Sequence, residues 1–302
     1  MFNAEIAEAF AKMTPIWELG AEGARQGREA GRSIFGPIHL SARAETISIA
    51  GPEGEIGLRI IRPERSRGVF FHIHGGGFVV GGNHHHDAIL ERLADATSLT
   101  VISTDYRLAP EHPYPAGPDD CEAAAVWLAQ NALDLFGSET MAIGGESAGA
   151  NLAAVTMIRL RERHGLLPFS AALLTYGVFD LRGTPSSRSF GDRPLILNTP
   201  TIRWFNEQFV GGQDPADPDI SPLFADLHEL PSALFTVGDL DPLLDDSLFM
   251  EARWRAAGNV SRLDLWPGGI HAFDYFATPY GLAARDTMHA FLNETLDSSP
   301  IR

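Results

Sequence analysis

Gly144-Gly145-Glu146-Ser147-Ala148-Gly149 sets a serine between glycines, after an apolar run and before a helical one. A serine hydroxyl is a poor nucleophile unless its Oγ is thrust toward a base, and a sharp strand-to-helix turn does this. Gly145 and Gly149 are read as keeping Cβ atoms out of the space where the strand end and the helix start converge. Alone the pattern is weak, because roughly 0.1 to 0.2 chance matches to G-x-S-x-G are expected at this glycine content. The chemistry it suggests, attack on an acyl carbon, needs a base, a group that orients the base, and donors for the oxyanion.

Three other stretches could supply those partners. His74-Gly75-Gly76-Gly77-Phe78 follows the β-like run Val69 to Ile73, and consecutive glycines let backbone N–H groups face open space, which suits a developing oxyanion. Composition predicts roughly 0.01 chance matches to His-Gly-Gly-Gly, so this signal is much more specific than the serine pattern. Gly238-Asp239-Leu240-Asp241-Pro242-Leu243 comes directly after Ala233 to Val237, at the carboxyl end of a strand, where open α/β sheets place ligands and loops. Asp241 is taken as the orienting carboxylate. It also reads as a helix N-cap before proline, and the two roles are compatible. Asp239, Asp245 and Asp246 are the rival carboxylates. His271, in Pro267-Gly268-Gly269-Ile270-His271-Ala272-Phe273, is taken as the base because it lies on a glycine-rich loop after the last strand and follows the aspartate. The run His84-His85-His86 invites a metal, but adjacent residues do not easily aim three rings at one ion, and no Cys or carboxylate pattern adjoins them. It is read as surface loop and helix start, with no metal and no cofactor expected.

The elements that must position these residues show in the periodicity. From Val69 onward, β-branched and aromatic runs alternate with helical stretches: Val69 to Ile73, His86 to Thr97, Leu99 to Ser103, Asp119 to Asn131, Met141 to Ile143, Ala150 to Arg163. The alternation resumes with Ala171 to Tyr176, breaks over Asp180 to Pro222, and returns through Ala233 to Val237, Leu243 to Ala257, Arg262 to Trp266 and Gly281 to Leu296. That order predicts an α/β fold with a doubly wound, mostly parallel sheet. The interrupted stretch surrounds one apolar helix, Thr201 to Phe209, and is read as an insertion over the sheet. Upstream, Gly51-Pro52-Glu53-Gly54 splits two β-like runs into a hairpin, and residues 1 to about 33 read as one or two amphipathic helices with Ile6, Phe10, Met13 and Trp17 on one face.

Composition sets limits on partners. With 302 residues, 44% of them hydrophobic, the chain can bury a large core. A net charge of −16 argues against nucleic acid and, more weakly, against anionic substrates. The single cysteine, Cys121, excludes an internal disulfide and a cysteine-based zinc cluster, and reads as a small packing residue. The amino terminus carries Glu5, Glu8 and Lys12 where a secretory signal would be apolar, and no run approaches a membrane span. A cytoplasmic protein with no stable membrane insertion is the expectation.

With these residues in hand, the chain resembles the hormone-sensitive-lipase-like family of bacterial esterases, also called family IV lipolytic enzymes, from about residue 45 to the end. The marks are His74 to Phe78, Asp105 to Glu111 (DYRLAPE), Gly145 to Asn151, Ser221-Pro222-Leu223, Gly238 through Asp246, and His271-Ala272-Phe273. The resemblance implies an α/β-hydrolase core at 46–179 and 223–302, under a helical cap made of 1–45 and 180–222. It implies hydrolysis of small carboxylic esters, usually of short acyl chains, through an acyl-enzyme. By motif position Ser147 would be the nucleophile, His271 the base and Asp241 its orienter, in the chain order of this fold, with an oxyanion hole of Gly76, Gly77 and Ala148 N–H groups. His74, Gly75 and Glu146 would support those motifs. Family members often pair through the sheet edge, so a homodimer is the implied assembly. Two positions depart from the pattern: Glu146 stands where Asp or Thr is usual, and Tyr176-Gly177 replaces a usual Tyr-Pro. An amidase with the same triad stays open, as does a non-catalytic receptor like the plant hormone receptors of this fold, although those lack the histidine.

Overall fold

Pairs of neighbouring residues along the strands point to opposite faces, and both members are buried, as in Phe70 and Phe71, Ala142 and Ile143, Leu173 and Leu174, and Leu234 and Phe235. Strands that are apolar on both faces need helices on both sides. The computed structural model, which describes residues 2–298, provides them. Two N-terminal helices, α1 (Phe2–Phe10) and α2 (Ile16–Glu29), precede the hairpin β1 (Glu45–Gly51) and β2 (Gly54–Ile61). The alternating part runs β3 (Gly68–Ile73), α3 (Asp87–Thr97), β4 (Leu99–Asp105), α4 (Ala116–Phe136), β5 (Met141–Glu146), α5 (Ala148–Arg159) and β6 (Phe169–Thr175). After a long excursion carrying α6 (Pro185–Ser189) and α7 (Thr199–Val210), it closes with β7 (Ser232–Gly238), α8 (Leu244–Ala256), β8 (Ser261–Trp266) and α9 (Pro279–Ser298).

The eight strands form one sheet in the order β1-β2-β4-β3-β5-β6-β7-β8, parallel from β4 through β8 and antiparallel only where β2 meets β1 and β4. This is the expected doubly wound α/β sheet. Phe71, Ile73, Ile143, Leu174 and Phe235 join the larger core cluster, with residues of α4, α5 and α8. Phe70, Ala142, Leu173 and Leu234 join a second cluster with residues of α3 and α9. Fully burying each such Leu or Phe contributes about 1.5 to 3 kcal/mol. α3 ends at Thr97 as expected, whereas α4 runs on to Phe136, α5 stops at Arg159, and β5 runs on to Glu146, beyond its apolar stretch. The N-terminal face is interrupted between α1 and α2, and Trp17 is exposed rather than covered.

The excursion between β6 and β7 is held at its base by polar bonds. Asn151 of α5, buried, donates Nδ2 to the carbonyls of Val178 at 2.8 Å and Ile220 at 3.0 Å, one at each end of the excursion. Leu181 N–H donates to Ser221 Oγ at 2.8 Å, and Leu223 N–H to the Phe179 carbonyl at 3.1 Å. Buried Arg159 is salt-bridged to Asp119 and Glu122 on α4 and to Asp219 of the excursion. Arg159 is the cation these three carboxylates share, while Glu122 is also paired with Arg163 and His164, and Asp219 accepts from Tyr114 Oη. No helix among the described residues is long and apolar enough to cross a membrane.

Burial also makes the fold acid-sensitive. It holds His74 down to about 3 and His289, on α9, down to about 4. Each ring stays neutral in the fold but takes up a proton on unfolding once the pH passes below the ordinary histidine value. Stability is therefore whole above about pH 6.5 and is lost as pH falls from there toward the folded-state values, by up to about 1.4 kcal/mol per pH unit and ring. Burial holds Asp246 up at about 7, which works the other way and offsets about one ring, so denaturant unfolding from about pH 7.5 to about pH 5 should show the remaining fall. A level unfolding free energy across that range would contradict it.

Candidate active site

Strands β3, β5, β7 and β8 end at the same edge of the sheet, and the loops that follow them carry the residues singled out by sequence. Ser147 sits between β5 and α5 with φ 58° and ψ −120°, a conformation that a residue with a Cβ seldom adopts. The space explains the flanking glycines. A Cβ at Gly145 or Gly149 would overlap the Ile73 carbonyl oxygen of β3.

His271, on the loop after β8, places Nε2 3.1 Å from Ser147 Oγ. Its Nδ1 lies 2.9 Å from Asp241 Oδ2, on the loop after β7. Asp241 is buried, and its other oxygen, Oδ1, accepts the Leu243 N–H at 2.9 Å just before α8. One carboxylate thus closes the turn into a helix and fixes an imidazole. The rival aspartates face elsewhere: Asp239 accepts from Gly268 N–H, Asp245 from Ser186 N–H, and Asp246 from the N–H groups of Phe179 and Asp180. The Tyr176 ring stands edge-on to His271 at 4.8 Å, with its hydroxyl on Asp274. Gly177, the departure beside it, has no room for a Cβ, which would overlap the Phe179 ring.

The loop after β3 turns back toward Ser147 through three consecutive residues in the left-handed half of backbone space, Gly76 at φ 114°, Gly77 at φ 62° and Phe78 at φ 63°. A Cβ on Gly76 would overlap the Val80 carbonyl oxygen, and one on Gly77 the Phe205 ring. Ala148 opens α5, so its N–H has no acceptor within the helix. Buried His74 stacks on Tyr106 with ring centroids 4.3 Å apart and bonds through Nδ1 to the Gly75 carbonyl at 2.8 Å. Tyr106 Oη donates to the His74 carbonyl at 2.9 Å. His74 therefore shapes the loop from below.

Glu146, the other departure in the elbow, turns its carboxylate onto the same loop. Oε1 accepts the Gly75 N–H at 2.7 Å, while Oε2 lies 3.0 Å from His72 Nε2 on β3. His72 Nδ1 faces Ser103 Oγ at 2.9 Å, so a ring protonated on Nε2 donates to Glu146 and accepts from the serine. His86 Nε2 faces Oε1 at 3.3 Å. Burial opposes ionisation of Glu146, but His86, His72 and the Gly75 N–H outweigh it and hold its pKa below the usual carboxylate range. Burial takes His86 down to about 4, so at neutral pH that ring meets the carboxylate as a neutral donor. Sequence reasoning gave Glu146 a supporting role in the elbow but not its partners, which lie about 60 to 75 positions away.

The reading of His84, His85 and His86 as surface loop and helix start is corrected in its first part: the run does lead into α3, but it is not a plain surface loop. His86 points inward to Glu146, while His84 and His85 both face Glu29 at the end of α2. The carboxylates absent from the local sequence arrive from α2 and from β5.

Ser147 and His271 open into a cavity of about 470 Å³, bounded by both N-terminal helices, the loop after β3, and residues 192–206 of the excursion. Phe35 and Phe205 line it. Trp204 is not among its lining residues but packs behind Phe205 at 5.4 Å. Arg25 fastens α2 over the loop by donating to the carbonyls of Val79 and Ala109, each at 2.7 Å. Phe78 stacks on Phe209 of α7 at 3.8 Å.

Residues 70–275 match the family model for the alpha/beta hydrolase fold. Among characterised proteins, the carboxylesterase NlhH of Mycobacterium tuberculosis is 35% identical over 288 residues, which cover 90% of this chain and 89% of that protein. Among solved structures, a hyperthermophilic esterase from the archaeon Pyrobaculum calidifontis superposes with a TM-score of 0.88 at 33% identity, over 97% of both chains. An esterase of the bacterial hormone-sensitive lipase family superposes with a TM-score of 0.83 at 29% identity, over 97% of this chain and 96% of that one.

Proposed function

We propose, from the premise that this chain belongs to the hormone-sensitive-lipase-like branch of the α/β-hydrolase fold and is a carboxylic ester hydrolase, that Ser147, His271 and Asp241 carry the reaction. The observation that carries this reading is the unbroken chain of two contacts, Ser147 Oγ to His271 Nε2 at 3.1 Å and His271 Nδ1 to Asp241 at 2.9 Å. His271 Nε2 takes the hydroxyl proton as Oγ attacks the ester carbonyl. The carbonyl oxygen becomes an oxyanion that accepts from the N–H groups of Gly76, Gly77 and Ala148. The intermediate collapses, the C–O bond to the alcohol breaks, and His271 returns its proton to the leaving alkoxide. Water then adds to the acyl-Ser147 ester as His271 takes its proton, the acyl–Oγ bond breaks, and His271 returns the proton to Ser147 Oγ as the acid leaves. Asp241 fixes the ring with its proton on Nδ1 and stabilises the imidazolium that forms between the two transfers.

Glu146 acts on this reaction through Gly75. By holding that N–H, it sets the pitch of the next two peptide groups, which donate to the oxyanion. It is a positioning residue, one bond removed from the chemistry. Residues 1–45 and 180–222 serve as the cap over a core of 46–179 and 223–302, supported by the cavity walls that both segments supply. A volume of about 470 Å³ suits a small ester of short acyl chain. β8 forms one edge of the sheet, and exposed Leu265 on it and Val260 just before it favour pairing of two copies.

Three outcomes test these assignments. Ser147→Ala should lower kcat on a chromogenic short-chain ester by at least about 10⁴-fold with the circular dichroism spectrum unchanged, and Asp241→Asn by about 10³- to 10⁴-fold. Turnover within tenfold of the parent in either variant would remove that residue from its role. Glu146→Ala should lower kcat about tenfold at nearly constant KM, and Glu146→Gln, which keeps an acceptor for Gly75 N–H, should recover most of it. A loss confined to KM would place Glu146 in substrate binding instead. Across a series of acyl lengths, kcat/KM should peak at short chains and collapse beyond about ten carbons. A preference for longer chains would mean that the cavity does not bound the acyl group.

A further inference from the structure

His84, His85 and Glu29 converge although nothing in the ester chemistry uses them. Glu29 is the last residue of α2, and its Oε1 lies 2.7 Å from His85 Nε2 and 3.3 Å from His84 Nε2. The two rings stand nearly perpendicular, 78° apart with centroids at 4.5 Å, which turns both Nε2 atoms toward one carboxylate. All the donor atoms lie within 4.8 Å of one another. An ion bound tetrahedrally at about 2.0 to 2.1 Å has its donors about 3.3 Å apart. The carboxylate oxygen lies 2.7 Å from one ring nitrogen and 3.3 Å from the other, close to that value. The supporting backbone is fixed. Gly82 lies beneath the rings, where a Cβ would come within 3.0 Å of His84, and the neighbouring Arg28 anchors the end of α2 to the Gly36 carbonyl at 2.8 Å and Tyr275 Oη at 2.6 Å.

We propose that Glu29, His84 and His85 form a binding site for a divalent transition-metal ion of the zinc type, which staples α2 to the loop between β3 and α3. Two imidazoles and one carboxylate are a borderline donor set that suits zinc and disfavours magnesium or calcium. Water completes the coordination, since the Glu29 and His84 side chains are 54% and 33% exposed and leave the ion a path in. Another histidine-carboxylate cluster among the described residues, His72, His86 and Glu146, is the poorer candidate, because an ion there would have to displace the Gly75 N–H from Glu146. His85 and Arg28 also line the cavity, so the staple joins two pieces of its wall. Bound zinc resists their separation.

The test uses the whole chain after treatment with a chelator. Equilibrium dialysis against zinc chloride should give one bound zinc per chain, and zinc in excess of its dissociation constant should raise the thermal midpoint by about 5 °C. Glu29→Gln and His84→Ala, both outside the cavity wall, should each weaken zinc binding at least about tenfold and abolish the thermal shift. Magnesium should do neither. Stoichiometric zinc retained in both variants would place the ion elsewhere, at the inner cluster, and overturn the proposal. Failure of the parent protein to bind zinc would overturn it as well.

Discussion

The turn after β5 and the loop after β3 lie so close that a Cβ on Gly149 would overlap the Ile73 carbonyl oxygen, and one on Gly75 would press against the Glu146 carbonyl. Backbone can approach backbone this way only where side chains are absent, and the Glu146 carboxylate then joins the two by taking the Gly75 N–H. The peptide groups after Gly75 and the Ser147 hydroxyl are thereby set relative to each other before any ester arrives. Preorganisation of this kind matters because donors already aimed at the developing charge need no reorganisation as the reaction proceeds.

Holding Ser147 at φ 58° costs on the order of 1 to 3 kcal/mol. The surroundings offset it. Every residue of α5 from Ala148 to Arg159 is buried, so the helix that receives the turn cannot shift without opening the core. Asn151 and Arg159 on that helix also grip the excursion between β6 and β7, and Phe205 and Phe209 of α7 reach back to pack on Gly77 and Phe78. The element that bears Ser147, the segment over the cavity and the loop beside it are thus one mechanical unit.

Much of this was legible because each proposed triad member sits on a short loop directly after a strand. The strands read as apolar runs, the glycines marked the turns, and Ser147, Asp241 and His271 followed in the expected order. Asp241 shows why two local readings could both hold, since one carboxylate oxygen serves the helix turn and the other His271. What stayed hidden depended on distant pairing. Glu146 meets His72 and Gly75 only because β3 and β5 are neighbours in register, with His72 opposite Gly144. The three consecutive histidines looked like one surface motif, yet the turn into α3 sends His86 inward and the other two toward Glu29, some 55 residues upstream. Trp204 and Phe205 differ by a single position on α7, and the helix phase that decides which ring meets the cavity depends on how α7 docks.

The central claim is that Ser147 is acylated during turnover of an ester. Acid quenching in the first turnovers, followed by proteolysis and mass spectrometry, reads this directly. The peptide containing Ser147 should gain the mass of the acyl group minus one hydrogen in step with the first burst of released alcohol. An unmodified Ser147 during that burst, or acyl mass on any other residue instead, would contradict the claim.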